Sequence, residues 1–409
     1  MKILFSLLIL LPIICFAEQY ELDDLIEIGL ENSYDIKNQD LSHKNTISSM
    51  RSSWLGLLPD ITANASAGKN IIKNETDWSR SSGISLSKSI YWDDQTYFSI
   101  RLANINKKNS DLNMQNMKKY IAFNVFSKYI SILEAQKSLQ IQEKNLLLQK
   151  KITEQIQVQY DSGDKSLLDL KQSEISLLDY EIAVAEYEND LKKARKNLFL
   201  YLNIEDEGLE FSEPDFVISD QEIEYSENID IQTKRNDLKS SKLSLFQDKL
   251  NFFPDLSLTY SYSYDNDSYF DFSNYDDSHT LSLNAFYPIS DLLERRESYS
   301  RAKNNLKISE IDLQEKENDL KNDYENLLND IQTLKKSYEL YQEKKDLAAE
   351  NLEMAQKQFQ LGIISLLDFD RAKIDFQNAE LSYINKHYEL MRKQEEINYK
   401  LSHKILGKW

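Results

Sequence analysis

Cysteine is almost absent from this 409-residue chain, and its one copy lies in a segment that we expect to be removed. An apolar run from Ile3 to Ile14 is followed by small residues at Cys15 and Ala17, the pattern that precedes a signal-peptidase cut. Residues 1–17 are therefore predicted to be a secretory signal peptide. The exported chain would contain no cysteine, which excludes disulfides, thiolate chemistry and cysteine metal sites.

Two other roles for this N-terminal segment are weaker. A membrane anchor needs roughly 20 apolar residues, and the run from Ile3 to Ile14 is shorter and has no stop-transfer sequence after it. A lipoprotein would carry a small residue directly before Cys15, where Ile14 stands. Cleavage after Ala17 is favoured.

Long apolar runs are also missing from the rest of the chain, where no stretch approaches 18 apolar residues. If the protein crosses a membrane, it must do so with strands closed into a barrel, because only helices and closed barrels satisfy their backbone groups in lipid.

Basic residues are outnumbered by acidic ones: the chain has 49 Lys and Arg and 68 Asp and Glu, for a net charge of −19. This acidity argues against nucleic acid as a partner.

Glycine and proline are scarce, with eight and five copies, and both residues interrupt regular structure. Four long stretches contain neither: Ile84–Ser162, Asp164–Glu207, Ile289–Leu361 and Ile363–Leu406. Glu, Lys, Leu, Gln, Asn and Ala dominate them, with apolar residues at helical spacing, so each stretch is predicted to be mostly one long helix. A helix of about 65 residues would span about 100 Å, far more than a helix of a compact domain.

The third of these stretches repeats apolar residues every seven positions, which is the pattern of a coiled coil. The residues at this position are Leu313, Leu320, Leu327, Leu334, Tyr341, Ala348 and Ala355. The first stretch carries a related seam 199 positions earlier, which holds Met114, Ile121, Val125, Ile132, Ala135, Leu139, Leu146 and Tyr160, with Lys128 and Gln142 as polar interruptions. We expect these seams to pack the long helices against one another.

The same offset of 199 residues marks an internal repeat. The clearest matches pair Gly163 with Gly362, Ser166 with Ser365 and Asp169 with Asp368. The repeat predicts a first unit of helices and a β-hairpin over 18–210, an acidic connecting segment over 211–227 and a second such unit over 228–409.

Between the helices of each half, the periodicity changes from helical to alternating. The apolar faces of these segments include Ile61, Leu86, Leu258, Tyr260, Leu281 and Leu283. Each half is thus predicted to hold one β-hairpin, with polar loops over Gly68–Ser82 and Asp265–Ser278. A soluble hairpin with one wet face fits this pattern. Strands of about nine residues with small polar residues opposite the apolar ones also fit a barrel with lipid outside and water inside.

The export signal, the duplicated plan, a proline-led hairpin in each half and the long helices together resemble the TolC family of outer-membrane efflux proteins. The most specific parts are Gly163–Asp169, Gly362–Asp368, Leu86–Asp94 and Leu283–Leu292. The resemblance implies a mainly α fold with a small β part, in which a homotrimer builds a twelve-stranded β-barrel in the outer membrane and an α-helical tunnel in the periplasm. Several chains are needed in any case, because the narrowest barrels have about eight strands.

The same resemblance assigns roles to residues at the two helical turns, where a reversing hairpin needs glycine. The residues expected to form the tip turns and dock a periplasmic adaptor are Gly163, Gly362, Leu167 and Leu366, and those expected at the pore constriction are Asp169 and Asp368. This chain departs from the family nearby. Arg371 stands at an often acidic position, and Ile364 and Phe359 replace an Arg and a Tyr, so the way in which the tip closes does not follow from the resemblance.

We therefore expect an outer-membrane exit duct of a tripartite efflux or type I secretion system, which works with a periplasmic adaptor, an inner-membrane transporter and outer-membrane lipid. The alternative is an exported periplasmic coiled-coil adaptor or scaffold without a pore, since heptads specify helix association and not a channel. We expect no enzyme, cofactor or metal site, because the chain has no phosphate-binding glycine motif and its histidines lie far apart. They are His43, His279, His387 and His403.

Overall fold

A computed structural model describes residues 19–72, 75–91, 95–208, 210–214, 228–266 and 276–409. The predicted signal peptide lies outside these ranges, and so does the 215–227 part of the predicted connecting segment. The strands are β1 Gln19–Tyr20, β2 Asp60–Ile72, β3 Glu75–Tyr91, β4 Glu210–Phe211, β5 Asp255–Asn266 and β6 Asp276–Phe286. The helices are α1 Leu22–Asn32, α2 Tyr34–Leu55, α3 Gln95–Asp161, α4 Leu167–Leu202, α5 Ile229–Leu250, α6 Leu292–Gln360 and α7 Leu366–Lys400.

The order helix, hairpin, long helix and shorter helix occurs twice, first as α2 to α4 and then as α5 to α7. The long helices α3 and α6 have 67 and 69 residues, and the shorter α4 and α7 have 36 and 35. The prediction of four long helices is confirmed. A turn with one glycine separates α3 from α4, and another separates α6 from α7. Glycine readily adopts the backbone conformation that ends a helix.

Strands β2, β3, β5 and β6 form one antiparallel sheet in that order. The two predicted hairpins are therefore joined through β3 and β5, which pair from Ser82 with Asn266 to Tyr91 with Ser257. Residues opposite each other share a face of the sheet, as Leu258 and Leu283 do. The register thus collects the apolar residues of all four strands on one face and the Ser and Thr residues on the other.

The predicted loop over Gly68–Ser82 is wrong. Strand β2 continues to Ile72 and β3 resumes at Glu75, with Ile72 paired to Glu75. The pairing persists because the ladder is made by backbone groups, which polar side chains leave free to bond. The second predicted loop is also shorter than expected, since β5 reaches Asn266 and β6 begins at Asp276; residues 267–275 lie outside the described ranges.

The chain divides into two compact units. The first is built from the described parts of 1–37, 118–222 and 324–409. Its core includes the predicted seam residues Ile121, Val125 and Ile132, which are fully buried. A Cβ added to Gly29 of α1 would lie 3.0 Å from Val125 Cγ2 and 3.2 Å from Leu202 Cδ2, so α1 packs closely against α3 and α4. Strands β1 and β4 form a short parallel pair in this unit.

The second unit is built from the described parts of 38–117 and 223–323, and it contains the four-stranded sheet. Polar contacts connect its helices in the order α2, α3, α5 and α6. They join His43 Nδ1 to Ser110 Oγ at 2.9 Å, Asn236 Nδ2 to Asn109 Oδ1 at 2.8 Å and Ser241 Oγ to Ser309 Oγ at 2.7 Å. No helix among the described residues is both long and apolar enough to cross a membrane.

Candidate functional site

The two helical turns of the first unit have the same backbone geometry. Gly163 and Gly362 adopt positive φ angles of 85° and 71°, a conformation that favours glycine. In each turn the glycine N–H donates to the carbonyl three residues earlier and the next N–H donates to the carbonyl five residues earlier. This pair of backbone hydrogen bonds terminates α3 and α6, and the chain reverses after it.

A serine then starts the next helix in each turn. Ser166 Oγ accepts from the Asp169 amide at 3.1 Å, and the Asp169 carboxylate accepts from the Ser166 amide at 3.1 Å, which together form a capping box. Hydrogen bonding from the Ser166 side chain lowers the pKa of the Asp169 carboxyl. Asp368 is held similarly, since Ser365 Oγ donates to its Oδ2 at 2.7 Å. Both predicted constriction residues therefore stabilise a helix start.

The equivalent leucines of the two turns differ in burial. Leu366 is only 5% exposed and packs with Ile156, Leu170 and Phe359 in an apolar cluster, which we call the tip core. Leu167 is 54% exposed. The exposed apolar residues near the turns are Leu167, Leu168, Leu361, Ile363 and Leu367. Of the two predicted docking leucines, only Leu167 thus offers an apolar surface in the isolated chain.

Aromatic residues fill the tip core. The rings of Phe359 and Phe369 stack with their centroids 5.1 Å apart, and the Lys165 Nζ lies 4.8 Å from the Phe359 centroid. Arg371 Nη1 lies 4.0 Å from Asp368 Oδ1 on the exposed side. The Phe359 side chain thus contributes apolar packing and has no hydroxyl with which to form a hydrogen bond.

A buried charged pair lies beyond the tip core. Lys373 of α7 is 1% exposed, and its Nζ donates to Asp370 Oδ1 at 2.9 Å and to Gln149 Oε1 of α3. Gln149 Nε2 in turn donates to Ser173 Oγ of α4 at 3.2 Å. One cation thus connects three helices. A buried ion pair of this kind needs such additional hydrogen bonds, because water no longer solvates it.

Sequence reasoning missed this cluster, although a signal was present. Gln149 lies seven residues after Gln142, the polar interruption of the α3 seam, and Lys373 lies seven residues after Leu366. A polar residue at a heptad core position must find a buried partner. Gln149 therefore indicated a buried polar contact at the α3 seam, whereas the position of Lys373 on α7 belonged to no predicted seam.

The predicted lipid-facing residues lie on one face of the sheet. Ile61, Leu281 and Leu283 are more than 70% exposed, Leu258 and Tyr260 are exposed to a lesser degree, and Leu86 is half-buried. On the opposite face Thr62 Oγ1 lies 2.6 Å from Ser85 Oγ, and Ser89 Oγ lies 3.2 Å from Thr259 Oγ1. The sheet therefore has one apolar face open to its surroundings and one hydroxyl-rich face.

Lys88 interrupts the apolar face. Its Nζ donates to the Gly56 carbonyl oxygen at 2.7 Å, which carries the charge toward the end of the sheet where α2 and the strands meet. A long lysine side chain can cover apolar surface while its charged end reaches a polar partner.

The histidines are not brought together. His43 contacts Ser110, His279 Nδ1 lies 2.9 Å from the Tyr260 hydroxyl, and His387 packs beside Tyr338. Within the described ranges, no group of three or more His, Cys, Asp or Glu side chains could hold a metal ion.

The family model described as outer membrane efflux protein matches residues 25–203 and 225–399, which covers most of the chain and both halves. The chain belongs to this family. The assignment confirms the resemblance inferred from the sequence and makes the protein an outer-membrane efflux protein. A search of curated protein sequences found no match.

Solved structures of similar fold are outer-membrane channels. The CmeC channel of Campylobacter jejuni has a TM-score of 0.81 and 16% identity, over 93% of this chain and 85% of that chain. VceC of Vibrio cholerae has a TM-score of 0.82 and 14% identity, over 94% and 96%. The open state of the MtrE channel of Neisseria gonorrhoeae has a TM-score of 0.81 and 17% identity, over 93% and 89%. These matches confirm the mainly helical fold with a small sheet.

Proposed function

We propose that three copies of this chain form the exit duct of a tripartite efflux or type I secretion system. Four strands per chain are too few to close a barrel, and three chains would supply twelve. The apolar face with Ile61, Leu281 and Leu283 would meet outer-membrane lipid, and the hydroxyl-rich face would line a water-filled lumen. The observation that carries the proposal is this separation of the two faces in one four-stranded sheet.

The tip turns would dock a periplasmic adaptor that connects the channel to an inner-membrane transporter. Leu168 and Leu361 are 77% and 76% exposed within a few residues of Gly163 and Gly362. When a partner covers apolar side chains so exposed at the end of a helical hairpin, the free energy of the complex is lowered. Leu167 belongs to this surface, whereas Leu366 would support it from the tip core.

Asp169 and Asp368 would ring the narrow end of the tunnel in the trimer. Their capping bonds use one carboxylate oxygen each, Oδ2, so that the negative charge of the side chain is kept while it caps the helix. Negative charges brought close together attract cations and repel anions. Arg371 beside Asp368 would weaken this effect in the second half.

Site-specific cross-linking tests the docking proposal. Cys15 is the only cysteine, so an exported Leu168→Cys variant carries one thiol for a photo-activated cross-linker. We expect it to capture an exported protein with a helical hairpin, identified by mass spectrometry. Leu200→Cys is the matched control, because Leu200 is 69% exposed at the other end of α4. Equal capture at both positions, or recovery of the chain from the periplasm instead of the outer membrane, would contradict the proposal.

A further inference from the structure

A groove between the first turns of α3 and the facing side of α5 has a composition that the channel function does not explain. It lies in the second unit and encloses about 640 Å³, a volume that suits a ligand of ordinary size. Its basic residues are Arg101, Lys108, Lys239 and Lys242, and its apolar residues are Tyr97, Ile105, Leu243 and Phe246. A second cavity of about 440 Å³ shares Lys108 and Lys239 with it and extends to Arg235. We call this continuous surface the α3–α5 groove.

The charge of the groove is opposite to that of the chain, whose net charge is −19. Among the described residues, none of the four basic side chains that line it forms an ion pair with a carboxylate. Lys239 Nζ donates to Asn236 Oδ1 at 3.3 Å, and the Arg101 guanidinium lies 5.0 Å from the Tyr97 ring centroid. Several unneutralised cations in one concave surface create a positive potential that attracts anions.

The carboxylate that lines the second cavity is already paired. Asp111, which lines the second cavity, lies 2.6 Å from Lys107 Nζ, and its other oxygen lies 3.6 Å from His43 Nε2. Arg235 is paired with Glu317 at 3.6 Å. The positive charge that remains for a ligand therefore comes from the four unpaired residues.

The two aromatic residues lie at the end of the groove that is nearest to the sheet. Tyr97 is the third residue of α3, which follows β3, and Phe246 lies four residues before the end of α5, which precedes β5. The two rings are 48% and 52% exposed. Lys108 and Lys239 lie about two to three turns further from the sheet along each helix. The rings thus mark the end of the groove near the sheet, where Arg101 and Lys242 lie one turn away from them, and Lys108 and Lys239 mark the far end.

We propose that the α3–α5 groove binds an amphipathic anion, whose apolar body packs on Tyr97 and Phe246 and whose phosphate or carboxylate is held by Lys108, Lys239 and Lys242. Charge-assisted hydrogen bonds to lysine fix the acidic group, and the rings remove apolar surface from water. Two sources fit this chemistry: an anionic phospholipid of the adjacent leaflet, or a free amphipathic anion. The lipid source rests on the proposed function, since it needs the sheet in the membrane; anion binding does not.

Native mass spectrometry of the detergent-purified full chain tests the site. The lipid probes are phosphatidylglycerol and phosphatidylcholine with the same acyl chains, and the free probes are decyl phosphate, decanol and inorganic phosphate. We expect decyl phosphate to bind while decanol and inorganic phosphate do not. Retention of phosphatidylglycerol over phosphatidylcholine, displaced by decyl phosphate, assigns the lipid source. Binding of decyl phosphate without retained phosphatidylglycerol assigns a free ligand.

A triple variant, Lys108→Gln with Lys239→Gln and Lys242→Gln, is expected to weaken decyl phosphate binding at least about tenfold, since each lysine near an anionic headgroup contributes. The control is Lys303→Gln with Lys307→Gln, which removes two exposed lysines of α6 in the same unit. Should the triple variant fail to fold, the single Lys242→Gln variant and the salt dependence of wild-type binding decide. Equal binding by variant and control, or wild-type binding that salt leaves unchanged, overturns the proposal.

Discussion

Single residues of the first unit already show how its helices are held in place. Lys373 and Asp370 form an ion pair whose side chains are 2% and 11% exposed, so neither charge can be solvated if its partner is lost. Gln149 and Ser173 extend the pair to α3 and α4. The pair thereby favours one arrangement of α7 against the first helical hairpin, because any other arrangement would leave a buried charge without a partner.

Lys373→Met is expected to lower the free energy of unfolding by about 3–5 kcal/mol, because Asp370 would stay buried without its cation. Adding Asp370→Leu should recover much of this loss. Lys357→Met is the control: its pair with Glu353 is 68% exposed on both sides and should contribute little to the free energy of unfolding, because water solvates both charges. Denaturant midpoints of the purified proteins give the comparison, and a loss no larger than that of the control would contradict the role of Lys373.

Asp368→Asn tests the proposed constriction at the same scale. Asparagine keeps the size of the side chain and can still accept from the Ser365 hydroxyl, so the helix start is preserved. In planar bilayers the variant is expected to show lower cation selectivity and weaker block by multivalent cations from the periplasmic side. Asp375→Asn, an exposed carboxylate further along α7, is the control. Unchanged selectivity would leave Asp368 with its capping role alone.

At the scale of elements, the sheet carries the membrane prediction. Leu283 is 76% exposed on the apolar face, and Ser282 lies on the hydroxyl-rich face beside Thr259. Leu283→Lys should cost about 2–4 kcal/mol of stability in the membrane if it lies near the bilayer midplane, because lysine there is poorly solvated. Ser282→Lys should cost less, since it would point into water. Folding yields into lipid vesicles measure both, and equal sensitivity of the two positions would indicate a buried sheet.

Helices and strands differed in how far the sequence revealed them. The ends of the long helices were predictable, because Gly163 and Gly362 are the only residues there that readily adopt a positive φ. The extent of the hairpin was not, because the sequence over 68–82 lacks the regular alternation of apolar and polar residues that marks a strand. The joining of the two hairpins through β3 and β5 was also hidden, since pairing between distant strands leaves no local pattern.

Within the candidate site, positions could be predicted and burial could not. The 199-residue repeat placed Leu167 and Leu366 at equivalent points of two turns. Only the packing of four helices decided that Leu366 enters the tip core while Leu167 stays exposed. The same packing buried Lys373, which propensity alone would have put on a solvated face.

At the scale of the whole molecule, we propose that the functional unit is an assembly of several copies. One chain offers a four-stranded sheet with one apolar face, and within the described part of the chain no further strand pairs with the outer edges of β2 and β6. The free backbone N–H and C=O groups of an edge strand can bond to a strand of another chain. In lipid these groups must be bonded, because no water is present to satisfy them. If β6 of one copy pairs with β2 of the next, three copies close a ring of twelve strands. The family to which the chain belongs is one of outer-membrane efflux proteins.

The most direct test of this account is the mass of the purified, processed protein in mild detergent, measured together with its conductance in planar bilayers. The account predicts a stable complex of three copies and ion conductance from that species alone. A monomer of unchanged conductance, or a stable complex whose copy number is not three, would contradict it.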